Sequence, residues 1–186
     1  MGIIWSRFSI IWSRFNIIGL KIYNMKKEEF VRKIYDAAVK IGEIDPIFVT
    51  AQAALESGWG ASAIGTYNIF GITKGSWKGE CKLVLTTEYF SSPDKRFGDW
   101  ERVVSVEKVG IKRYRYSVYR WFRVYASYEE CLRDHLAILQ KPMYADAWEH
   151  RKDRHEFLRR IAGRYATAPN YIEIMESMFK SVERRL

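Results

Sequence analysis

A chain of 186 residues with 48% hydrophobic and 16% aromatic content can build its own core, which excludes disorder as its overall state and suits one domain. A formal charge of +9 favours an anionic partner, but charge alone does not choose among nucleic acid, a membrane surface and an anionic cell-wall polymer. Cys81 and Cys131 form no CxxC pair and read as packed thiols, a disulfide between them remaining open if the chain is exported.

In chain order, residues 1–24 stand apart. The runs Ile3–Ser9 and Ile10–Asn16 differ only at their last residue, a repeat too short for a solenoid. Arg7, Arg14 and Lys21 are its only charges, so the rest of the chain carries +6. These charges interrupt both an apolar membrane span and a signal-peptide core. The segment reads as an upstream extension or a misassigned start before a domain opening at Met25. The alternative is a weak basic amphipathic contact with a membrane.

From Lys26 to about Ile41, the positions Phe30, Val31, Ile34, Tyr35, Ala38 and Val39 recur at helical spacing and predict an amphipathic helix. A second helix follows, capped by Asp45 with Pro46 at its first position, and ends at Ser57-Gly58. Residues 58–79 are rich in glycine and aromatics, with Tyr67–Ile72 expected to form a compact loop or short helical turn. Lys82–Phe90 and the stretch from Glu101 to Tyr125 around Gly110 are β-prone and predict a small antiparallel lobe. Helices resume at Ser127, where Ser127 and Glu130 have capping-box spacing, and continue to about Gln140. Two more are expected at Asp153–Ala162 and Pro169–Glu183, punctuated by Gly163 and Pro169. The order of helices, β-rich insertion and helices predicts an α+β fold with a cleft between its lobes.

Glu56 is the residue most suggestive of chemistry. It falls in the last turn of the Asp45-capped helix, beside a glycine suited to a left-handed exit and near Trp59. The negative end of the helix dipole and an aromatic wall both favour a protonated carboxyl, the state a general acid needs near neutral pH. An ordinary solvated helix-end glutamate is the plain alternative.

Five ordered segments carry a family resemblance: Ala51–Gly60, Tyr67–Ile72, Thr86–Glu88, Phe122–Ser127 with Asp134 and His135, and Tyr165–Tyr171. Together they resemble glycoside hydrolase family 73 across nearly everything from residue 25 to the C-terminus. The resemblance implies a lysozyme-like fold: a mainly helical lobe and a small antiparallel β-lobe flanking a substrate cleft. It also implies an endo-β-N-acetylglucosaminidase that acts on peptidoglycan glycan strands at the bacterial cell wall; the chain is expected to be a monomer. In that family the bond cut links N-acetylglucosamine to N-acetylmuramic acid.

Carried over position by position, Glu56 matches the family's proton donor. Glu88 matches the site proposed for a general base or electrostatic partner, with Glu80, Glu101 and Glu107 open as alternatives in the same lobe. The substrate's own acetamido oxygen is a further alternative. Tyr165 matches a tyrosine near the donor, and Ala168 departs from the aspartate of many relatives. Trp59, Phe70 and Trp77 are candidates for a sugar-stacking wall, while Asn68 either binds an acetamido group or fixes its loop. His135 reads as fold-supporting. No cofactor or metal is expected, since no HExxH pattern occurs. The basic, tyrosine-rich segment Lys108–Arg123 reads as a hairpin facing wall polymers or water, with nucleic acid as the lesser alternative. Other functional alternatives are a muramidase or lytic transglycosylase, and a non-catalytic wall-binding module.

Overall fold

The computed structural model describes residues 25–166 and 168–186; the repeat in residues 1–24 lies outside them. Helix α1 spans Lys27–Ile41 and buries Phe30, Val31, Ile34, Ala37 and Ala38. Tyr35 is only half-buried and Val39 is exposed, so the apolar face lies rotated toward Ala37 from the predicted stripe. Gly42, at φ 69°, ends the helix in the left-handed conformation.

Helix α2, Pro46–Ser57, starts as its sequence predicts: the Asp45 carboxylate accepts a bond from the Phe48 amide at 2.8 Å, and Pro46 occupies the first turn. It is buried along Phe48–Ala54. A helix apolar around most of its girth belongs in the middle of a bundle. Its alanines permit close approach by α1 and by α6, Tyr171–Glu183. Phe48 fixes the crossing by meeting Phe157 edge-on at 4.7 Å and Phe179 at 6.0 Å.

Helix α3, Tyr128–Leu139, begins with Ser127 Oγ accepting the Glu130 amide at 3.1 Å. The reciprocal bond shifts by one residue, because Glu130 Oε2 accepts from the Ala126 amide at 2.7 Å. A 3-10 turn at Pro142–Tyr144 and a short helix α4, Ala145–Glu149, follow. Neither is apparent in the sequence pattern, since pieces this short contain too few turns to show periodicity. Helix α5 runs Arg154–Tyr165, with Gly163 inside it rather than at its end.

Strands β1 (Cys81–Phe90), β2 (Arg102–Gly110) and β3 (Arg113–Arg123) form one antiparallel sheet in the order β1-β3-β2. One face carries Glu88 opposite Tyr116 and Thr86 opposite Val118. Residues 91–101 fold over it: Phe90, Phe97 and Tyr116 pack together, and the Tyr116 hydroxyl donates to Ser92 O at 2.8 Å. Strand β2 is exposed along its whole length. Because strand residues alternate faces, Arg113, Arg115 and Arg123 share one side and Arg120 the other. The basic run is therefore split rather than gathered into one surface.

The lobes join at Arg123. Main-chain bonds from Arg123 to Ile72 (3.1 Å) and from Val124 to Glu80 (2.9 Å) tie the base of the sheet to the loop after α2. The Arg123 guanidinium lies 2.6 Å from both carboxylate oxygens of Asp134 on α3. Both cysteines are free thiols, Cys131 fully buried. Among the described residues, no helix is long and apolar enough to cross a membrane.

Candidate active site

The end of α2 is held with little freedom. Gly58 takes φ 58°, and the Ser57 hydroxyl donates to Ala53 O at 2.6 Å while accepting the Gly60 amide at 2.7 Å. Trp59 itself has φ 61°, a conformation that costs a non-glycine residue free energy and persists only where its surroundings impose it. These constraints aim Glu56, half-buried in the last turn, at Tyr165 on α5. The Tyr165 hydroxyl donates to Glu56 Oε1 at 2.5 Å. Burial, and next the negative charge of Glu56, push the Tyr165 hydroxyl's pKa well above its ordinary value, so it remains a proton-bearing donor. The family resemblance places Tyr165 near the donor, and the structure puts these two residues, 109 apart in the chain, in contact.

Glu88 lies elsewhere, on the covered face of the sheet. It is 2% exposed, and Arg120 Nη1 reaches both of its oxygens at 2.9 and 3.0 Å. Arg120 also donates through Nε to Glu101 at 3.2 Å. Burial lowers the guanidinium's proton affinity, but the two carboxylates more than compensate and its pKa is raised overall. Glu88 is consequently held in place by its double contact with Arg120. Glu107 pairs with Arg115 at the surface.

Two of the four residues predicted to bind substrate serve the scaffold instead. Phe70 is 1% exposed and stacks on the His135 ring at 3.7 Å, so its face is not offered to a sugar. Asn68 is likewise buried and uses its whole amide internally, donating to Ile72 O (3.0 Å) and Arg123 O (2.9 Å) and accepting from Ile72 N (2.9 Å). Of the two roles open for Asn68, these bonds support the loop-fixing one. Trp59 and Trp77 remain partly exposed. Lys27 and Arg185 lie 5.3 and 4.9 Å from the Trp59 ring centroid. Trp77 donates its indole N–H to Glu80 O at 3.2 Å beneath Arg123.

Sequence reasoning missed two contributors. Gln52 is a buried amide among alanines in α2, and Tyr171 closes the Tyr165–Tyr171 segment of the family resemblance. The signal for Gln52 was a polar side chain in an otherwise small and apolar helical stretch. Among the described residues, no cluster of His, Cys, Asp and Glu could hold a metal ion.

A helical lobe that presents one glutamate at a helix end, with a tyrosine on its carboxylate and a three-stranded sheet alongside, defines a lysozyme-like glycoside hydrolase domain. The chain belongs to the Glucosaminidase family, described as mannosyl-glycoprotein endo-β-N-acetylglucosaminidase, whose pattern matches residues 32–184. The glycoside hydrolase domain of FlgJ from Salmonella typhimurium superimposes with a TM-score of 0.62 at 27% identity, covering 86% of this chain and 90% of that one. In sequence, the peptidoglycan hydrolase FlgJ of the same organism is 34% identical over 73% of this chain and 39% of its own length. A probable N-acetylmuramidase of Lactococcus lactis is 29% identical over 77% of this chain and 31% of its own length. The chain thus spans about a third to two fifths of these curated relatives.

Proposed function

We propose that this chain hydrolyses peptidoglycan glycan strands at the bacterial cell wall, cutting the β-1,4 bond from N-acetylglucosamine to N-acetylmuramic acid. The observation that carries the reading is the Tyr165–Glu56 bond at the locked end of α2. A glycosidic oxygen leaves poorly until it is protonated as oxocarbenium character develops on the sugar. Glu56 is the group that delivers this proton, and Tyr165 fixes the plane of its carboxyl. Glu88 is the second carboxylate of the proposal. Its double contact with Arg120 favours an electrostatic role over that of a general base with an open lone pair. Trp59 and Trp77 supply the partly exposed aromatic surfaces against which pyranose faces stack.

Digestion of purified peptidoglycan, followed by mass spectrometry of the products, tests both bond and residue. Reducing-end N-acetylglucosamine is expected, with turnover falling roughly 100-fold or more in Glu56→Gln, the range that one general acid supplies. Reducing-end muramic acid would make the chain a muramidase, and its anhydro form a lytic transglycosylase. Clearing that survives in Glu56→Gln would remove Glu56 as the acid and leave a wall-binding module as the better account.

A further inference from the structure

The bonds of Gln52 leave its amide one orientation. His135 on α3 is fully buried, and burial alone lowers its pKa to about 3, so the ring is neutral. Its Nε2 lies 2.8 Å from Gln52 Oε1, and an amide oxygen only accepts. The ring proton therefore sits on Nε2, leaving Nδ1 an acceptor, and that buried atom has no partner. Phe70, stacked within 6° of parallel, holds the imidazole plane. With Oε1 committed to His135, the amide nitrogen of Gln52 faces the Tyr171 hydroxyl oxygen at 3.4 Å. An oxygen that accepts this bond sends its own proton elsewhere. The Tyr171 ring lies against that of Tyr165, centroids 6.0 Å apart and 25° from parallel, and Tyr165 donates to Glu56.

We infer that Gln52 is a positioning residue: held by neutral His135, it orients the Tyr171 hydroxyl so that its proton, like that of Tyr165, is directed at the Glu56 carboxylate. This rests on the reading of Glu56 as the acid. Burial, and then the charge of Glu56, raise the pKa of the Tyr171 hydroxyl, which supports the proximity of the two groups. Tyr165 from α5 contacts Glu56 directly, the charge of Glu56 also acts on the ionisation of Tyr171 from α6 and Cys131 from α3, and the Tyr144 ring of the 3-10 turn lies 6.4 Å from that of Tyr165. Asp134, beyond Cys131, is paired with Arg123. The tyrosines and Cys131 are uncharged at neutral pH, so hydroxyl dipoles are what tune the acid.

The test is the pH profile of peptidoglycan clearing for wild type, Tyr171→Phe, Gln52→Met and the double variant, with thermal melts reporting the fold. A general acid works while protonated, and losing a donor to its carboxylate lets it hold the proton to higher pH. Each single variant should move the basic limb up by about one pH unit, the worth of one hydrogen bond to a charged group. The double variant should move it no further, because both changes act through one hydroxyl. Tyr171→Phe keeps the ring packing and so serves even where Gln52→Met fails to fold. A limb unmoved in Tyr171→Phe, in an enzyme that Glu56→Gln inactivates, overturns this inference and leaves Glu56 as the acid. Additive shifts also overturn it. Activity surviving Glu56→Gln overturns both readings.

Discussion

At the scale of single residues, the end of α2 depends on the close fit of Gly60 against the buried Phe30 ring. A Cβ built on Gly60, which has φ 86°, would lie 2.8 Å from Cδ2 of the buried Phe30 ring. Gly60→Ala combines a left-handed conformation costing about 1–2 kcal/mol with overpacking of similar size. Denaturant unfolding should show a loss of about 2–4 kcal/mol, and a loss below about 0.5 kcal/mol would mean that Phe30 yields without cost. Cys131 gives a second prediction. Burial pushes its thiol up to about 12, so it is protonated and shielded at neutral pH. A thiol reagent should titrate only Cys81 in the native protein and both thiols after denaturation. Labelling of Cys131 in the native protein at neutral pH would show that α3 opens.

At the scale of elements, the β-lobe holds its loop with an ion cluster as well as with aromatic rings. Arg120, its side chain mostly buried, compensates Glu88 and Glu101 together. Replacing it by leucine strands two carboxylates on a covered face, which costs about 3–5 kcal/mol when a buried charge loses its partner. Unfolding of Arg120→Leu at neutral pH should show that loss. A fully stable variant would show instead that the loop packs through Phe90, Phe97 and Tyr116 alone. The helix starts at Asp45 and Ser127 and both long strand regions were legible because caps and alternation are local rules. The turn at Pro142–Tyr144 and helix α4 were not. Their conformation is settled by contacts such as the Arg164 bond to Met143 O at 2.9 Å, which no local pattern records.

At the scale of the whole molecule, stability is tied to pH through His135. Its folded pKa of about 3 lies below the ordinary histidine value, so below about pH 6.5 the unfolded chain binds a proton that the folded chain refuses. The stability this neutral ring supports is complete above that pH and is lost progressively as pH falls toward 3. The slope is about 1.4 kcal/mol per pH unit for one proton. Thermal melts across this window should fall less steeply for His135→Gln than for wild type, by one proton. Parallel curves would mean that the ring is protonated in the fold. The sequence by itself determined the helix that carries Glu56, the β-rich insertion and the ordered segments that mark the family, because these depend on neighbours within a few residues. Only the tertiary structure decided that Glu88 is compensated by Arg120, that Phe70 and Asn68 belong to the scaffold, and that Gln52 connects His135 to Tyr171. Apart from the local bonds of Asn68 to Ile72, those assignments depend on burial and on partners 32 to 119 residues away, which packing brings together and no local spacing encodes.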